Sequence, residues 1–222
     1  MKIEKLSHPS SHVDWFESTD VADYNACVQF MEQKAVNIRN GTDRECIWLV
    51  EHTPLYTGGT SAMDSDILQP QFPVHKSGRG GQYTYHGTGQ RTVYAMIDLK
   101  ARGLGIKEYV RLLEQWIIDT LALYNIKGER RCQRVGIWIN NGNATEDKIC
   151  AIGVRIKKWV SFHGFALNIS PELQHFYDII PCGITNPQYG VSSLEKLGIL
   201  TNKHEVDLAL MQTFNTVFPP IQ

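Results

Sequence analysis

Long apolar runs are missing from this 222-residue sequence. No segment approaches the roughly 20 uninterrupted apolar residues of a membrane-spanning helix, and residues 1–8 lack the apolar stretch of a signal peptide. An excess of one charge is missing too, because 22 lysines and arginines nearly balance 23 aspartates and glutamates. We therefore expect a cytoplasmic protein that binds neither membranes nor nucleic acid.

Paired cysteines and metal-ligand motifs are also absent from the sequence. It has five cysteines, an odd number, and contains neither Cys-x-x-Cys nor His-x-x-His. A phosphate-binding loop is excluded as well, because the glycine-rich segment 77–81 has no lysine. We therefore expect reduced thiols, no metal ion and no cofactor.

The composition and the apolar patterns are those of one globular domain. Hydrophobic residues make up 42% of the chain and charged residues 20%, which suits a domain with a sizeable core. Apolar spacing predicts helices that begin near Val21, Ile106 and Lys203, and a short helix over 171–177. Strands are predicted over 45–51, 71–75, 92–99, 135–140, 148–160 and 162–169, with loops over 53–70 and 141–147. Consecutive strands exclude strict βαβ alternation, so we predict a single α+β domain over 1–222, with a mainly antiparallel or mixed sheet flanked by helices.

The densest local signal is a cluster of five glycines within residues 77–90, between two predicted strands. Glycine destabilises regular structure, so this density indicates positive-φ turns or backbone that approaches a ligand closely. Arg79, Thr84, His86 and Gln90 lie in the same cluster, and each side chain can form hydrogen bonds with a substrate. The cluster is therefore a candidate binding site, and a flexible hairpin is the alternative interpretation.

Two residues outside the cluster are candidates for chemistry. Cys182 lies between Pro181 and Gly183, a context that favours a presented thiol over a packed one, and a nearby cation would make it a nucleophile. Lys148 begins an apolar strand, and an amine beside a thiol stabilises the thiolate and carries a proton. The alternatives are a structural cysteine in a turn and a solvated charge at a strand end.

The histidines allow several interpretations. His86 either orients substrate within the glycine cluster or is the base of a dyad with Cys182. His52 and His163 are interpreted as structural residues.

Five motifs together resemble the lipoyl(octanoyl) transferase family, in the same order and at similar spacing over about residues 45–195. They are the segments 79–90 (RGGQYTYHGTGQ), 136–139 (GIWI), 148–154 (KICAIGV), 163–168 (HGFALN) and 180–184 (IPCGI). Two features depart from the family pattern, since Ala95 stands where proline is expected and the loop over 140–147 is longer.

The resemblance implies the α+β fold of the biotin and lipoate protein ligase catalytic domains. It also implies transfer of an octanoyl or lipoyl group from acyl carrier protein to a lysine of lipoyl domains in 2-oxoacid dehydrogenase complexes and of the glycine cleavage H protein. On the matching positions, Cys182 corresponds to the acyl-thioester nucleophile and Lys148 to the lysine that lowers its pKa. The acyl-substrate-binding stretches correspond to Arg79, Gly80, Gly81, Gln82, Tyr83, Thr84, Tyr85, His86, Ala151, Ile152, Gly153, Gly164, Phe165 and Ala166.

Acyl transfer requires an apolar tunnel, and the small residues at 151, 153, 164 and 166 are expected to leave room for one. Three other functions stay open at this point. An ATP-dependent lipoate or biotin ligase on the same fold needs no nucleophilic cysteine, so Cys182 argues against it. The others are a non-catalytic acyl-binding protein and a cysteine hydrolase with a Cys182–His86 dyad.

Overall fold

The computed structural model describes residues 2–8, 12–180, 186 and 188–221. In these ranges the chain forms β1 (Ile3–Leu6), β2 (Asp14–Ser18), α1 (Tyr24–Arg39), β3 (Cys46–Val50), β4 (Leu55–Gly58), β5 (Val74–Lys76), β6 (Tyr83–His86), β7 (Gln90–Met96), α2 (Ile106–Ala122), β8 (Ile137–Gly142), β9 (Thr145–Lys157), β10 (Val160–Asn168), β11 (Tyr189–Val191) and α3 (Lys203–Val217). Two 3₁₀ turns, Asp64–Asp66 and Leu173–Asp178, complete the list of elements.

Eight strands form one mixed sheet in the order β1-β2-β3-β7-β10-β9-β11, with β8 also paired to β9. Most neighbours are antiparallel, whereas β2 pairs with β3, and β11 with β9, in parallel. The strands β5, β4 and β6 form a second, smaller sheet. The predicted α+β class with a mixed sheet is confirmed.

Helices cover both faces of the large sheet, because successive residues of a strand point to opposite faces and both sets are apolar. Ile47 and Leu49 belong to a core with α2 and α3, whereas Trp48 and Val50 belong to a second core with α1. A third cluster, in the small sheet, includes Tyr56 and lies against the 3₁₀ turn at Leu173–Asp178. The functional cavity described below lies on the α1 face of the large sheet.

The helices lie close to their predicted positions. The start of α1 is Tyr24 instead of Val21, because Asp23 is its N-cap and accepts a hydrogen bond from the Ala26 amide at 2.8 Å. The predicted start of α3 at Lys203 is confirmed, with Asn202 as its N-cap. Within the described ranges, every helix is too short or too polar to span a bilayer.

The predicted loop over 53–70 and the glycine cluster both contain strands that the sequence analysis missed. β4 lies in the first and β6 in the second, and they pair from Leu55–His86 to Gly58–Tyr83. Each strand is only four residues long and glycines flank the pair, so the apolar pattern was too short to indicate a strand. The strands β1, at the edge of the large sheet, and β2, between β1 and β3, are four and five residues long and were also missed.

Two predicted boundaries were wrong because the apolar pattern of the sequence did not show two-residue turns. The predicted loop over 141–147 is a tight hairpin between β8 and β9, with Asn143 and Ala144 at φ 51° and 60°. The predicted strand over 148–160 ends early, because Lys158 and Trp159, at φ 51° and 69°, form the turn into β10. Consecutive left-handed residues are the mark of a type I′ hairpin turn.

Candidate active site

A cavity of about 350 Å³ lies between the large sheet and the small one. Its floor is formed by β7, β10 and β9, where Thr92, Ala166 and Ala151 lie in register across the three strands. Its roof is formed by residues 79–86 with Thr57 of β4. Lys148 lines one end of the cavity, and Tyr94 and His163 line the other.

The roof is organised by the buried guanidinium of Arg79. Its Nη2 donates to the carbonyl oxygen of Thr57 at 2.6 Å, to Thr57 Oγ1 at 2.8 Å and to the Gln82 carbonyl at 2.9 Å. Its Nη1 donates to the Gly80 carbonyl at 2.9 Å. Arg79 was predicted to bind substrate, and the structure shows that it ties the glycine segment to β4 while lining the cavity.

The two glycines after Arg79 differ in what they require. Gly81 has φ +88°, a conformation that residues with a Cβ rarely adopt. A Cβ on Gly80 would meet only the Val154 carbonyl, at an ordinary 3.7 Å. A side chain would therefore strain the backbone at Gly81, whereas Gly80 has room for one.

We predict that Gly81→Ala lowers the acyl transfer that the sequence resemblance implies about 10-fold, because a left-handed conformation costs an L-residue roughly 1–2 kcal/mol and the loop would shift to avoid it. Gly80→Ala, the matched control, is expected to retain near-normal turnover. Steady-state rates and thermal melting of both variants check this. Equal activity of the two variants would identify the segment as an ordinary turn.

Small residues line the floor, and two of them are glycines at positions where a neighbouring group leaves no room for a Cβ. A Cβ on Gly164 would lie far inside van der Waals contact with the Val93 carbonyl of β7. A Cβ on Gly153 would lie 2.9 Å from Arg79 Cδ. These glycines therefore allow β10 to approach β7 and Arg79 to lie against β9. The space that they leave for a ligand follows from this close packing.

Lys148 reaches the cavity because of a β-bulge in β9. Trp138 of β8 pairs with Lys148, whereas Ile137 pairs with Cys150, so β9 has one extra residue at this point. Ile149 and Cys150 both point into the core with α2 and α3. The bulge thus places Lys148 on the same face as Ala151, three residues on, where regular alternation would oppose them.

The Lys148 side chain is 6% exposed and is held from two sides. Its Nζ donates to the Val135 carbonyl at 3.2 Å and lies 4.8 Å from the centroid of the Trp138 ring. The Arg134 guanidinium lies 4.4 Å from the centroid of the same Trp138 ring and 4.0 Å from that of the Tyr189 ring. The described charged residues that line the cavity are Lys148, Arg134 and Arg79, all cationic, an environment that favours an anion.

His86 is buried in a chain of hydrogen bonds whose directions can be assigned. Gln90 Nε2 donates to the Tyr85 carbonyl, so Gln90 Oε1 faces His86 Nδ1 at 2.8 Å and accepts its proton. Arg79 can only donate to Thr57 Oγ1, which leaves the hydroxyl to donate to His86 Nε2 at 3.2 Å. Burial holds the pKa of His86 well below its ordinary value, and Arg79 contributes.

Both ring nitrogens of His86 are therefore occupied by neutral partners and the ring is uncharged. To act as the base of a dyad with Cys182, it would first have to break one of these bonds. The dyad of the hydrolase alternative has no support in this geometry.

The end of the cavity away from Lys148 is polar, which the sequence did not indicate. Tyr94 donates its hydroxyl proton to His52 Nε2 at 2.6 Å, and His52 Nδ1 donates to the Ala22 carbonyl at 2.8 Å. His163 lines the cavity, and burial lowers its pKa to about 3. Its interpretation as a structural residue stays a prediction, and its unusual φ of 61° has no signal in the sequence.

Not all predicted binding residues surround the cavity. Within β6, Thr84 and His86 face it, whereas Tyr83 and Tyr85 point to the opposite side and pack in the small-sheet core. Gln90 is buried behind His86 instead of facing substrate. The other predicted residues that line the cavity are Arg79, Gly81, Gln82, Ala151, Ile152, Gly153, Gly164, Phe165 and Ala166.

Cys182 lies outside the described residues, but both of its flanks are described. On one side Ile180 donates its amide to the Asp66 carbonyl at 2.7 Å. On the other, Val191 of β11 pairs with Lys148. Cys27, Cys46 and Cys150 are buried, which raises the pKa of each thiol, whereas Cys132 is exposed.

Comparison with known proteins gives a consistent set of relatives. The model of the lipoyl protein ligase A/B catalytic domain family matches residues 23–215. An octanoyltransferase of Rhodopseudomonas palustris is 51% identical over an alignment of 223 positions, which covers 98% of this chain and 95% of the relative. An octanoyltransferase of Paramagnetospirillum magneticum is 52% identical over 207 residues, 93% of this chain and 97% of the relative.

Solved structures agree on the fold. A bipartite lipoate protein ligase from Thermoplasma acidophilum has a TM-score of 0.67 at 13% identity, covering 90% of this chain and 80% of its own. A lipoate-protein ligase A bound with ATP has a TM-score of 0.67 at 14% identity, covering 90% and 84%. At these identities the likeness concerns the fold alone.

The family match over most of the chain, together with this fold, defines the class as a lipoyl protein ligase A/B catalytic domain. Relatives at 51% and 52% identity place the chain more closely: it belongs to the octanoyltransferases, which are acyltransferases. The resemblance found in the sequence is confirmed.

Proposed function

We propose that the protein transfers an octanoyl or lipoyl group from acyl carrier protein to a lysine of lipoyl domains, through a thioester on Cys182. The observation that carries the proposal is the placement of Lys148. A bulge turns this buried ammonium into the cavity, and the strand that pairs with it, β11, follows Cys182 by seven residues. Residues 1–222 are proposed to be one catalytic domain.

In the first half-reaction, the Cys182 thiolate attacks the carbonyl carbon of the octanoyl thioester. The bond to the carrier sulfur breaks, and the Lys148 ammonium gives its proton to the leaving carrier thiolate. The products are octanoyl-Cys182, the free carrier thiol and a neutral Lys148 amine. One thioester replaces another, so the step needs no external energy source.

In the second half-reaction, the neutral amine of the acceptor lysine attacks octanoyl-Cys182. The nitrogen forms an amide and loses a proton to the Lys148 amine, and Cys182 leaves as a thiolate. The thiolate and ammonium of the resting enzyme are restored. The cationic cavity end favours the thiolate in both steps, and the small residues of the floor leave space for the acyl chain.

A transfer assay without ATP tests the function. With octanoyl carrier protein and a lipoyl domain, we expect mass spectrometry to find octanoyl on the acceptor lysine, with no ATP required. Free octanoate with ATP is the control and is expected to give no product. Transfer that depends on ATP and accepts free octanoate would instead identify a ligase.

A further inference from the structure

Asn168 and Gln90 form a buried amide pair that the proposed mechanism does not use. Asn168 is the last residue of β10 and Gln90 the first of β7, and they are 4% and 1% exposed. Gln90 Nε2 donates to Asn168 Oδ1 at 2.9 Å. Neither side chain is among the described residues that line the cavity.

The pair connects the roof of the cavity with the strand that carries Lys148. Towards the roof, Gln90 accepts a hydrogen bond from His86, and His86 accepts one from Thr57. Thr57 in turn accepts one from Arg79. Towards the floor, Asn168 Nδ2 donates to the Ser192 carbonyl at 2.9 Å.

Ser192 in turn connects Asn168 with Lys148. The Ser192 amide donates to the Lys148 carbonyl at 3.0 Å, directly after β11. The Asn168 carbonyl accepts from the Leu194 amide at 3.0 Å. The segment that follows the Cys182 region is therefore held between the main chains of Lys148 and Asn168.

Amides satisfy this chain of bonds, whereas ionised carboxylates and aliphatic side chains do not. Gln90 must accept from His86 and donate twice, and Asn168 must accept from Gln90 and donate to a carbonyl. A carboxylate at either position accepts but does not donate, and an aliphatic side chain does neither. Each buried partner left without a hydrogen bond costs about 1–3 kcal/mol.

We propose that Asn168 is a positioning residue, which through Gln90 and Ser192 sets the segment after Cys182 and the Lys148 strand in register with the roof of the cavity. The inference rests on the proposed function, since the geometry that it sets is that of the Cys182–Lys148 pair. Asn168 acts through these neighbours and does not touch the acyl group.

Asn168→Asp gives a test with a pH signature. The ionised carboxylate of this variant would face the Ser192 carbonyl without a proton, whereas the protonated acid would donate to it. Burial raises the pKa of such an acid, so the ratio of variant to wild-type acylation rate is expected to increase as the pH falls. At neutral pH we expect a rate about 10- to 100-fold below wild type, with KM for octanoyl carrier protein changed less.

Thr213→Val is the matched control. Thr213 is buried on the opposite face of the sheet and shares a 2.8 Å hydrogen bond with Thr120, between α3 and α2. The Thr213→Val substitution is expected to lower the melting temperature but leave the acylation rate and its pH profile unchanged. If Asn168→Asp does not fold, Gln90→Met, of similar volume, carries the same rate test.

Two results together would overturn the proposal. The ratio of the Asn168→Asp to the wild-type acylation rate would not change with pH, and the rate loss would be no larger than that of Thr213→Val at equal loss of stability. The wild-type reaction separates this from failure of the proposed function. If wild-type Cys182 is not acylated, the function is wrong. If it is acylated and the Asn168 variant matches the control, only the positioning role is wrong.

Discussion

Replacing Lys148 by alanine is expected to lower turnover by about 100- to 10,000-fold, the range that general acid–base groups contribute. Lys148 is 6% exposed and lines a cavity whose other described charged residues are cationic. In the proposed mechanism, its removal takes away both the stabilising charge for the Cys182 thiolate and the proton carrier of the two half-reactions. Alkylation of Cys182 by iodoacetamide, measured against pH, should move towards the ordinary thiol pKa of about 8.5.

Two comparisons make the Lys148 result specific. Exposed Cys132 is read in the same peptide digest and should show the same alkylation profile in both proteins. Lys148→Arg keeps the charge but does not release a proton readily, so it should retain a low thiol pKa and still transfer slowly. An unchanged Cys182 profile with near-normal turnover in Lys148→Ala would make Lys148 a structural strand residue.

Cys182→Ser is expected to have the largest effect, a loss of turnover of about 10⁴-fold or more. A serine hydroxyl is far less ionised than a thiol at neutral pH, so the proposed nucleophile becomes much weaker. Cys132→Ser is the matched control because it makes the same substitution at an exposed cysteine, and it should keep full turnover. Near-normal rates in Cys182→Ser would exclude a covalent intermediate on this residue.

Much of the fold could be predicted because its signals are local. Helical spacing located α2 and α3, and apolar runs located β3, β7 and β10. Glycine density indicated the roof segment, and the positive φ of Gly81 gives the physical reason for it. The sequence therefore predicts an element correctly where its formation depends on residues close together in the chain.

The features that depend on pairing between distant strands could not be predicted. The bulge that turns Lys148 into the cavity exists only in the register of β8 with β9. Alternation in β6 sends Tyr83 and Tyr85 away from the cavity, but the glycine cluster hid that strand. The polar cavity end at His163 and Tyr94 is likewise assembled from separate strands, so no sequence motif describes it.

The most direct measurement of the central claim is to locate the acyl group after the wild-type protein reacts with octanoyl carrier protein in the absence of an acceptor. Intact-mass spectrometry should find one octanoyl group per chain, and peptide mapping should place it on Cys182. Adding a lipoyl domain should remove the group from Cys182 and transfer it to the acceptor lysine. Octanoyl on Cys27, Cys46, Cys132 or Cys150, or product formed without any acyl-enzyme, would contradict the thioester mechanism.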